Sequence, residues 1–187
     1  MNPVGISVQA ARDLYETLSN VDPAQVESLS QAITKAKCVF LAGAGRSMLM
    51  LRGFAMRLMH AGLTVYVVGD TTTPAFQKDD LLIIGSGSGE TGGLIGIANK
   101  VKKLGGTLAV MTIFKDSTLG KKADVLVRIP AYTDKLPESE ENKRCTLPGG
   151  SLFEQSILLL GDSIIVPIAQ QLGTPTDRAF ERHANLE

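Results

Sequence analysis

Short apolar runs alternate along the chain with longer segments whose apolar residues recur at helical spacing. Continuous apolar runs of this kind are typical of strands that are buried on both faces, as in a parallel sheet. The predicted strands are residues 38–42, 65–68, 81–84, 108–113 and 125–127. The predicted helices are residues 7–20, 23–36, 47–61, 92–104 and 152–172. The alternation predicts an α/β fold, a three-layer α/β/α sandwich around a five-stranded parallel sheet that is doubly wound, or flavodoxin-like.

Local signals mark some of the predicted helix ends. Asp22 and Pro23 have the side chains preferred at an N-cap and at the first helical position, and Gln25 is placed to complete a capping box. Gly105 and Gly106 follow the predicted helix 92–104, and glycine is the usual residue just after a helix end. We therefore expect these two helices to begin and end at those residues.

The length of 187 residues predicts one domain. Within it we expect N-terminal helices over residues 1–36, a sheet core over 37–130, a polar loop over 131–150, and a helix and tail over 151–187. A loop of this length in a compact domain is usually functional or disordered. The loop is therefore a candidate part of the site.

The charge of the chain argues against polyanionic partners, because 19 basic and 19 acidic residues cancel. A neutral chain offers no reason to expect binding to nucleic acid or to an anionic membrane. The N-terminus lacks the basic and apolar segments of a secretory signal, and no continuous apolar run approaches the roughly 18 residues of a membrane span. Cys38 and Cys145 have neither metal-ligand nor redox spacing. We expect a cytoplasmic protein without a bound metal.

Two glycine-rich loops, residues 43–47 and 85–91, follow the first and third predicted strands. Ligands of parallel sheets bind at the carboxyl ends of the strands. Glycine lets the backbone approach an anion, helix N-termini favour negative charge, and hydroxyl groups donate hydrogen bonds. The alternative is a pair of tight turns with ordinary Ser/Thr caps. The candidate phosphate-binding residues are Gly45, Arg46, Ser47, Ser86, Gly87, Ser88 and Thr91.

A dinucleotide site is the competing interpretation of the first loop. Gly43 and Gly45 resemble the start of the Rossmann fingerprint, and Asp70 follows the second strand, where a ribose-binding acid lies. Met48, however, stands where the fingerprint needs glycine or alanine, and the sequence has no Walker A pattern. Binding of NAD is therefore the weaker alternative.

Several segments together resemble the SIS (sugar isomerase) domain family and, within it, the 6-phospho-3-hexuloisomerase family. The segments are residues 42–47, 55–60, 84–91, 150–155 and 183–187. The resemblance implies interconversion of D-arabino-3-hexulose 6-phosphate and fructose 6-phosphate, a step of formaldehyde fixation in the ribulose monophosphate pathway. It also implies a homotetramer with sites near subunit boundaries, and a reaction that needs neither a metal nor an organic cofactor.

Such an isomerisation needs a base at a carbon-bound proton and a second group that moves protons between oxygens. The resemblance points to Glu154 as the base, although Ser151 and Glu154 also form a capping-box pattern. His183 is the candidate for proton transfer at the oxygens, with a disordered tail as the alternative. His60 is either a residue at a helix end or core edge, or part of a neighbouring subunit's site.

The sequence also supports predictions for two arginines, one glutamate and the last helix. Arg46 is expected to neutralise a phosphoryl group with its planar fork, whereas Arg57 is expected on the surface. Glu90 is expected to point away from the phosphate, to a sugar hydroxyl or an arginine. The last helix is more apolar than one sheet face requires, which indicates either a subunit contact or a buried core helix. Its apolar positions include Ile157, Leu158, Leu160, Ile164, Ile165 and Ile168.

Two other functions fit the same residues. One is an isomerase for a different sugar phosphate, such as arabinose 5-phosphate. The other is a non-catalytic SIS module that senses a sugar phosphate. The chain has no predicted DNA-binding segment to which such a sensor would report, and this favours an enzyme.

Overall fold

The computed structural model describes residues 2–140, 142–174 and 182–186. Its strands are β1 (Val39–Gly43), β2 (Val65–Val67), β3 (Leu81–Gly85), β4 (Thr107–Thr112) and β5 (Val125–Arg128). Its helices are α1 (Pro3–Ser19), α2 (Pro23–Lys35), α3 (Gly45–His60), α4 (Gly92–Leu104), α5 (Thr118–Lys122) and α6 (Ser151–Gln171). The strands form one parallel sheet in the order β2-β1-β3-β4-β5, which confirms the predicted α/β architecture.

Helices cover both faces of the sheet, so the strands are buried on both sides. Leu41 and Ile83 belong to the core beneath α2, α3 and α6, whereas Ala42 and Ile84 belong to the core beneath α4 and α5. Successive residues of a strand point to opposite faces. This explains why the strands appear in the sequence as continuous apolar runs.

Two helices differ from prediction at the N-terminus and after β4. Helix α1 begins at Pro3, because the Asn2 side chain caps it by accepting a hydrogen bond of 2.8 Å from the Gly5 N–H. Asn2 and Pro3 are the same signal as Asp22 and Pro23, so this start was predictable. Helix α5 was not predicted; it has five residues, too few for a helical pattern, and the Ser117 side chain caps it.

The predicted N-cap of α2, Asp22, is confirmed, but the predicted capping box with Gln25 is wrong. The Asp22 carboxylate accepts a hydrogen bond of 2.9 Å from the Ala24 N–H. The Gln25 side chain does not turn back to the cap; its Oε1 accepts a hydrogen bond of 2.7 Å from the Arg128 N–H at the end of β5. Gln25 therefore fastens α2 to the edge strand. At the other predicted signal, Gly105 ends α4 with φ 75°.

Helix α6 is long and apolar enough to cross a membrane by length and composition alone, but half of its most apolar window is buried inside the protein. It packs on α3, where Gly161 gives room for the Phe54 ring. Of the predicted apolar positions, Ile157, Ile164, Ile165 and Ile168 are buried, and Leu160 packs at the margin of the core. Leu158 is exposed. The helix is thus mainly a core helix that also presents an exposed apolar stripe.

Candidate active site

The two predicted phosphate loops lie side by side at the carboxyl edge of the sheet. Strands β1 and β3 are paired neighbours in which Gly43 lies opposite Gly85, so both loops leave the sheet at the same level. The helices that follow begin at N-caps Ala44 and Thr91, and neither residue makes a side-chain cap hydrogen bond. Open N–H groups at a helix N-terminus favour an anion. Two such termini therefore flank one small region.

The hydroxyl groups of the second loop are held by the loop's own backbone. Ser86 is buried, and its Oγ accepts a hydrogen bond of 3.2 Å from the Gly89 N–H and lies 3.3 Å from Thr91 Oγ1. Ser88 Oγ accepts a hydrogen bond of 3.2 Å from the Glu90 N–H. The structure thus brings together the three hydroxyl-bearing residues predicted in this loop. These hydrogen bonds hold the hydroxyl groups in place, and an ordered arrangement of donors suits the binding of a phosphoryl group.

Gly89 and Gly87 make this loop possible. Gly89 has φ 64°, and a Cβ there would lie 1.9 Å from Ser117 Oγ. A Cβ on Gly87 would lie 3.3 Å from the Phe153 ring. The loop is therefore packed tightly between the β4–α5 turn and the start of α6, and larger residues would displace it.

Glu90 turns away from the cradle but does not contact an arginine, one of the two partners that we expected. Its Oε1 accepts a hydrogen bond of 2.6 Å from the Thr118 N–H at the start of α5, rather than facing an arginine. This backbone hydrogen bond lowers the pKa of Glu90 from its ordinary value. Glu90 is therefore a charged brace between the second loop and α5.

Glu154 and Arg46 form an ion pair between α6 and the first loop. Arg46 Nε donates to Glu154 Oε2 at 2.6 Å; the Arg46 side chain is 61% exposed and that of Glu154 is 14% exposed. The N-cap of α6 is Gly150, with φ 91° and no side chain, and Ser151 is the first helical residue. The predicted capping box is therefore wrong. The Glu154 carboxylate lies at the mouth of the first loop instead.

Ser47 and Gly45 lie beside this pair in the first turn of α3. Gly45 has φ 56°, and nothing lies within 4 Å of the place a Cβ would take, so its backbone is open to an approaching group. Ser47 is half-buried at the third position of the helix. The structure therefore groups all predicted phosphate-binding residues and Glu154 at one edge of the sheet.

His60 and His183 lie at the other end of α3. Helix α3 runs from the first loop to His60, a rise of about 22 Å for sixteen residues. The two imidazole rings are in contact, with centroids 5.4 Å apart; His60 is 5% exposed and His183 is exposed. Within one chain, the structure does not bring the predicted catalytic histidines to Glu154.

The environment of His60 keeps its ring neutral. Burial lowers the pKa of His60, and electrostatic interactions with Arg57 and His183 lower it further. In the part of the chain that the structure describes, neither ring nitrogen of His60 has a hydrogen-bond partner. The tail returns to this end of α3, because the Arg182 guanidinium lies over Gly62, 3.0 Å from the place a Cβ would take. Arg182 and His183 therefore both lie against this end of α3.

An open cleft of about 770 Å³ adjoins the phosphate loop on the side of β4 and β5, where its walls include Ser88, Lys115 and Lys135. One wall is the polar loop, which folds around the buried Asn142. The Asn142 Oδ1 accepts from the Thr133 N–H at 3.0 Å, and its Nδ2 donates to three backbone carbonyls at 3.0–3.1 Å. Sequence analysis missed Asn142, because a buried asparagine in a polar loop has no distinguishing pattern.

The remaining candidates have structural partners. Asp70 accepts a hydrogen bond of 2.6 Å from Arg52 Nη2, so the acid that a dinucleotide site would need is engaged in an ion pair. Arg57 is exposed and lies 3.6 Å from Asp162, as expected of a surface residue. Neither residue takes part in the phosphate loops.

Comparison with known proteins agrees with the geometry of this edge. Residues 32–138 match the SIS domain family, and the chain belongs to that family. It is 41% identical to the 3-hexulose-6-phosphate isomerase of Bacillus subtilis, with 94% of each chain covered. It is 42% identical to the 3-hexulose-6-phosphate isomerase of Mycobacterium gastri, covering 94% of this chain and 86% of that one.

A solved structure from Methanococcus jannaschii is similar in fold and sequence. It superposes with a TM-score of 0.78 at 34% identity and covers 97% of each chain. That crystal structure is described as inferring a molecular function of 3-hexulose-6-phosphate isomerase. The similarity therefore extends over nearly the whole chain.

Proposed function

We propose that this protein is a sugar-phosphate isomerase that interconverts D-arabino-3-hexulose 6-phosphate and fructose 6-phosphate. The observation that carries the proposal is the preformed hydroxyl cradle of residues 86–91 beside the carboxylate of Glu154. The relatives named 3-hexulose-6-phosphate isomerase support the choice of substrate. The whole chain acts as one SIS unit, in the cytoplasm, on a step of formaldehyde fixation.

The phosphoryl group binds between the two loops. Ser86, Ser88 and Thr91 donate hydroxyl hydrogen bonds, and Ser47 and the open N–H groups of α3 and α4 complete the cradle. This anchor holds the sugar carbons at a fixed distance from Glu154. Positioning of this kind lowers a reaction barrier by several kcal/mol.

The chemistry is a proton transfer through an enediol, with a base at carbon and a second group at the oxygens. Glu154 removes the C2 proton of the 3-hexulose, the C2–C3 double bond forms as the C3 carbonyl becomes a hydroxyl, and the proton returns at C3. A second group takes the O2 proton and supplies the O3 proton. The low exposure of Glu154 limits competition from water for the carboxylate.

A second copy of the chain supplies that second group. Helices α3 and α6 carry exposed apolar side chains: Leu49, Met56, Met59, Leu158, Leu159 and Val166. In a two-fold dimer whose axis is perpendicular to α3, the same patch faces itself with the helices antiparallel, so the His60 end of one α3 meets the Arg46 end of the other. We assign proton transfer at the oxygens to the exposed His183 and a supporting role to the covered His60. Two such dimers make the homotetramer that we expect.

The direct test supplies 3-hexulose 6-phosphate and couples the fructose 6-phosphate formed to a reporter reaction. The expected result is turnover with this substrate and at least tenfold lower kcat/KM with arabinose 5-phosphate. Faster turnover of arabinose 5-phosphate would assign the enzyme to another substrate. Binding of fructose 6-phosphate without turnover of either sugar would indicate a sensor and contradict the proposal.

A further inference from the structure

The guanidinium of Arg46, which belongs to the first turn of α3, contacts Glu154 and uses only one of its donor groups there. Its Nε donates to Glu154 Oε2, and no other hydrogen bond or ion pair of this guanidinium occurs among residues 2–140, 142–174 and 182–186. A guanidinium offers five N–H donors in a planar fork. Two Nη groups therefore remain for a second anion while Nε faces the carboxylate.

The ion pair with Arg46 makes Glu154 a less available base. A carboxylate that removes a carbon-bound proton must direct a free lone pair at that proton, and Oε2 is held at 2.6 Å by a charged donor. Arg46 thus restrains one of the two oxygens with which Glu154 could accept a proton. The other oxygen, Oε1, lies toward the backbone of Gly150, 3.6 Å from the place a Cβ would take there.

A bound phosphoryl group changes this balance. It carries a charge of about −1.5 to −2 near neutral pH and three acceptor oxygens, more than the single carboxylate offers. Arg46 is the residue between Gly45 and Ser47, at the open N-terminus of α3. A phosphoryl group in the cradle therefore competes directly for the same guanidinium.

We propose that Arg46 is a positioning residue that couples phosphoryl binding to release of Glu154, an inference that rests on the proposed isomerase function. With the cradle empty, Arg46 holds Oε2; with the cradle occupied, the guanidinium moves to the phosphoryl oxygens and Glu154 is free to act as the base. A sugar without its phosphoryl group is then processed slowly even when it is bound, and a separate phosphite dianion restores its reaction.

The test follows exchange of the C3 proton of fructose, which lacks phosphate, in D2O by NMR, with and without phosphite. For the unaltered enzyme we expect phosphite to accelerate exchange at least tenfold. In Arg46→Gln we expect exchange without phosphite to rise about three- to fivefold, the scale of one largely exposed ion pair, and phosphite to add less than twofold. If Arg46 only bound phosphate, Arg46→Gln would leave the exchange rate of the C3 proton without phosphite unchanged, and the coupling would be contradicted.

The matched control is Arg52→Gln, which removes another exposed ion pair of α3 that lies outside the cradle. It should respond to phosphite as the unaltered enzyme does. Circular dichroism and thermal melting confirm that both variants are folded. Phosphite activation of Arg46→Gln equal to that of the unaltered enzyme would overturn the coupling. Absence of 3-hexulose 6-phosphate turnover in the unaltered enzyme would instead overturn the proposed function.

Discussion

The two ends of α3 present opposite kinds of chemistry. At the Arg46 end, glycines, hydroxyls and open N–H groups form a cradle whose parts come from one chain. At the His60 end, a buried imidazole lies against the exposed His183. In the proposed function, one chain therefore holds the phosphate site and the base, and the histidines of a second copy complete the site.

The largest expected effect comes from the base. Glu154→Gln keeps the shape of the side chain but removes its charge, so kcat should fall by about 10²–10⁴. Affinity for fructose 6-phosphate, measured by calorimetry, should change little, because the cradle is intact. Asp162→Asn, on the exposed side of the same helix, is the control and should keep its kcat. Equal activity of Glu154→Gln and the unaltered enzyme would remove Glu154 from the reaction.

The cradle itself is tested by paired glycine substitutions. Gly89→Ala places a Cβ in a left-handed backbone conformation and against Ser117, so it should destabilise the protein by about 1–3 kcal/mol and weaken phosphate binding. Gly96→Ala, within α4 where nothing lies near the added methyl group, should stabilise it by about 0.5–1 kcal/mol. Urea unfolding measures both. Equal tolerance of the two substitutions would contradict the packing described for the loop.

The smallest effect concerns the other end of α3. Because burial lowers the pKa of His60, the unfolded chain binds more protons than the folded chain just below pH 6.5, the ordinary pKa of histidine. Stability should therefore decrease as the pH falls from 7 to 5. His60→Leu removes this proton uptake, so its free energy of unfolding should depend less on pH. Parallel curves for the two proteins would contradict a buried, neutral His60.

Local patterns predicted the fold and the loops, and long-range contacts account for what was missed. The strands were evident because burial on both faces leaves continuous apolar runs. The loops were evident because glycine and hydroxyl residues directly follow two apolar strands. In contrast, the pairing of Arg46 with Glu154 joins residues 108 positions apart, and the contact of Gln25 with β5 joins residues 103 apart. No local pattern records either partner: a capping box was predicted for Gln25, and a capping box was the alternative to the base role for Glu154.

The measurement that most directly tests a site assembled from both ends of α3 mixes two inactive variants, Glu154→Gln and His183→Ala. Co-refolded in equal amounts, each mixed pair has one site with both defects and one site with none. The account predicts recovery of about one quarter of the unaltered activity, because half of the random pairs are mixed and half of their sites are intact. Activity no greater than that of the separate variants would show that each chain uses its own histidine, and would contradict the account.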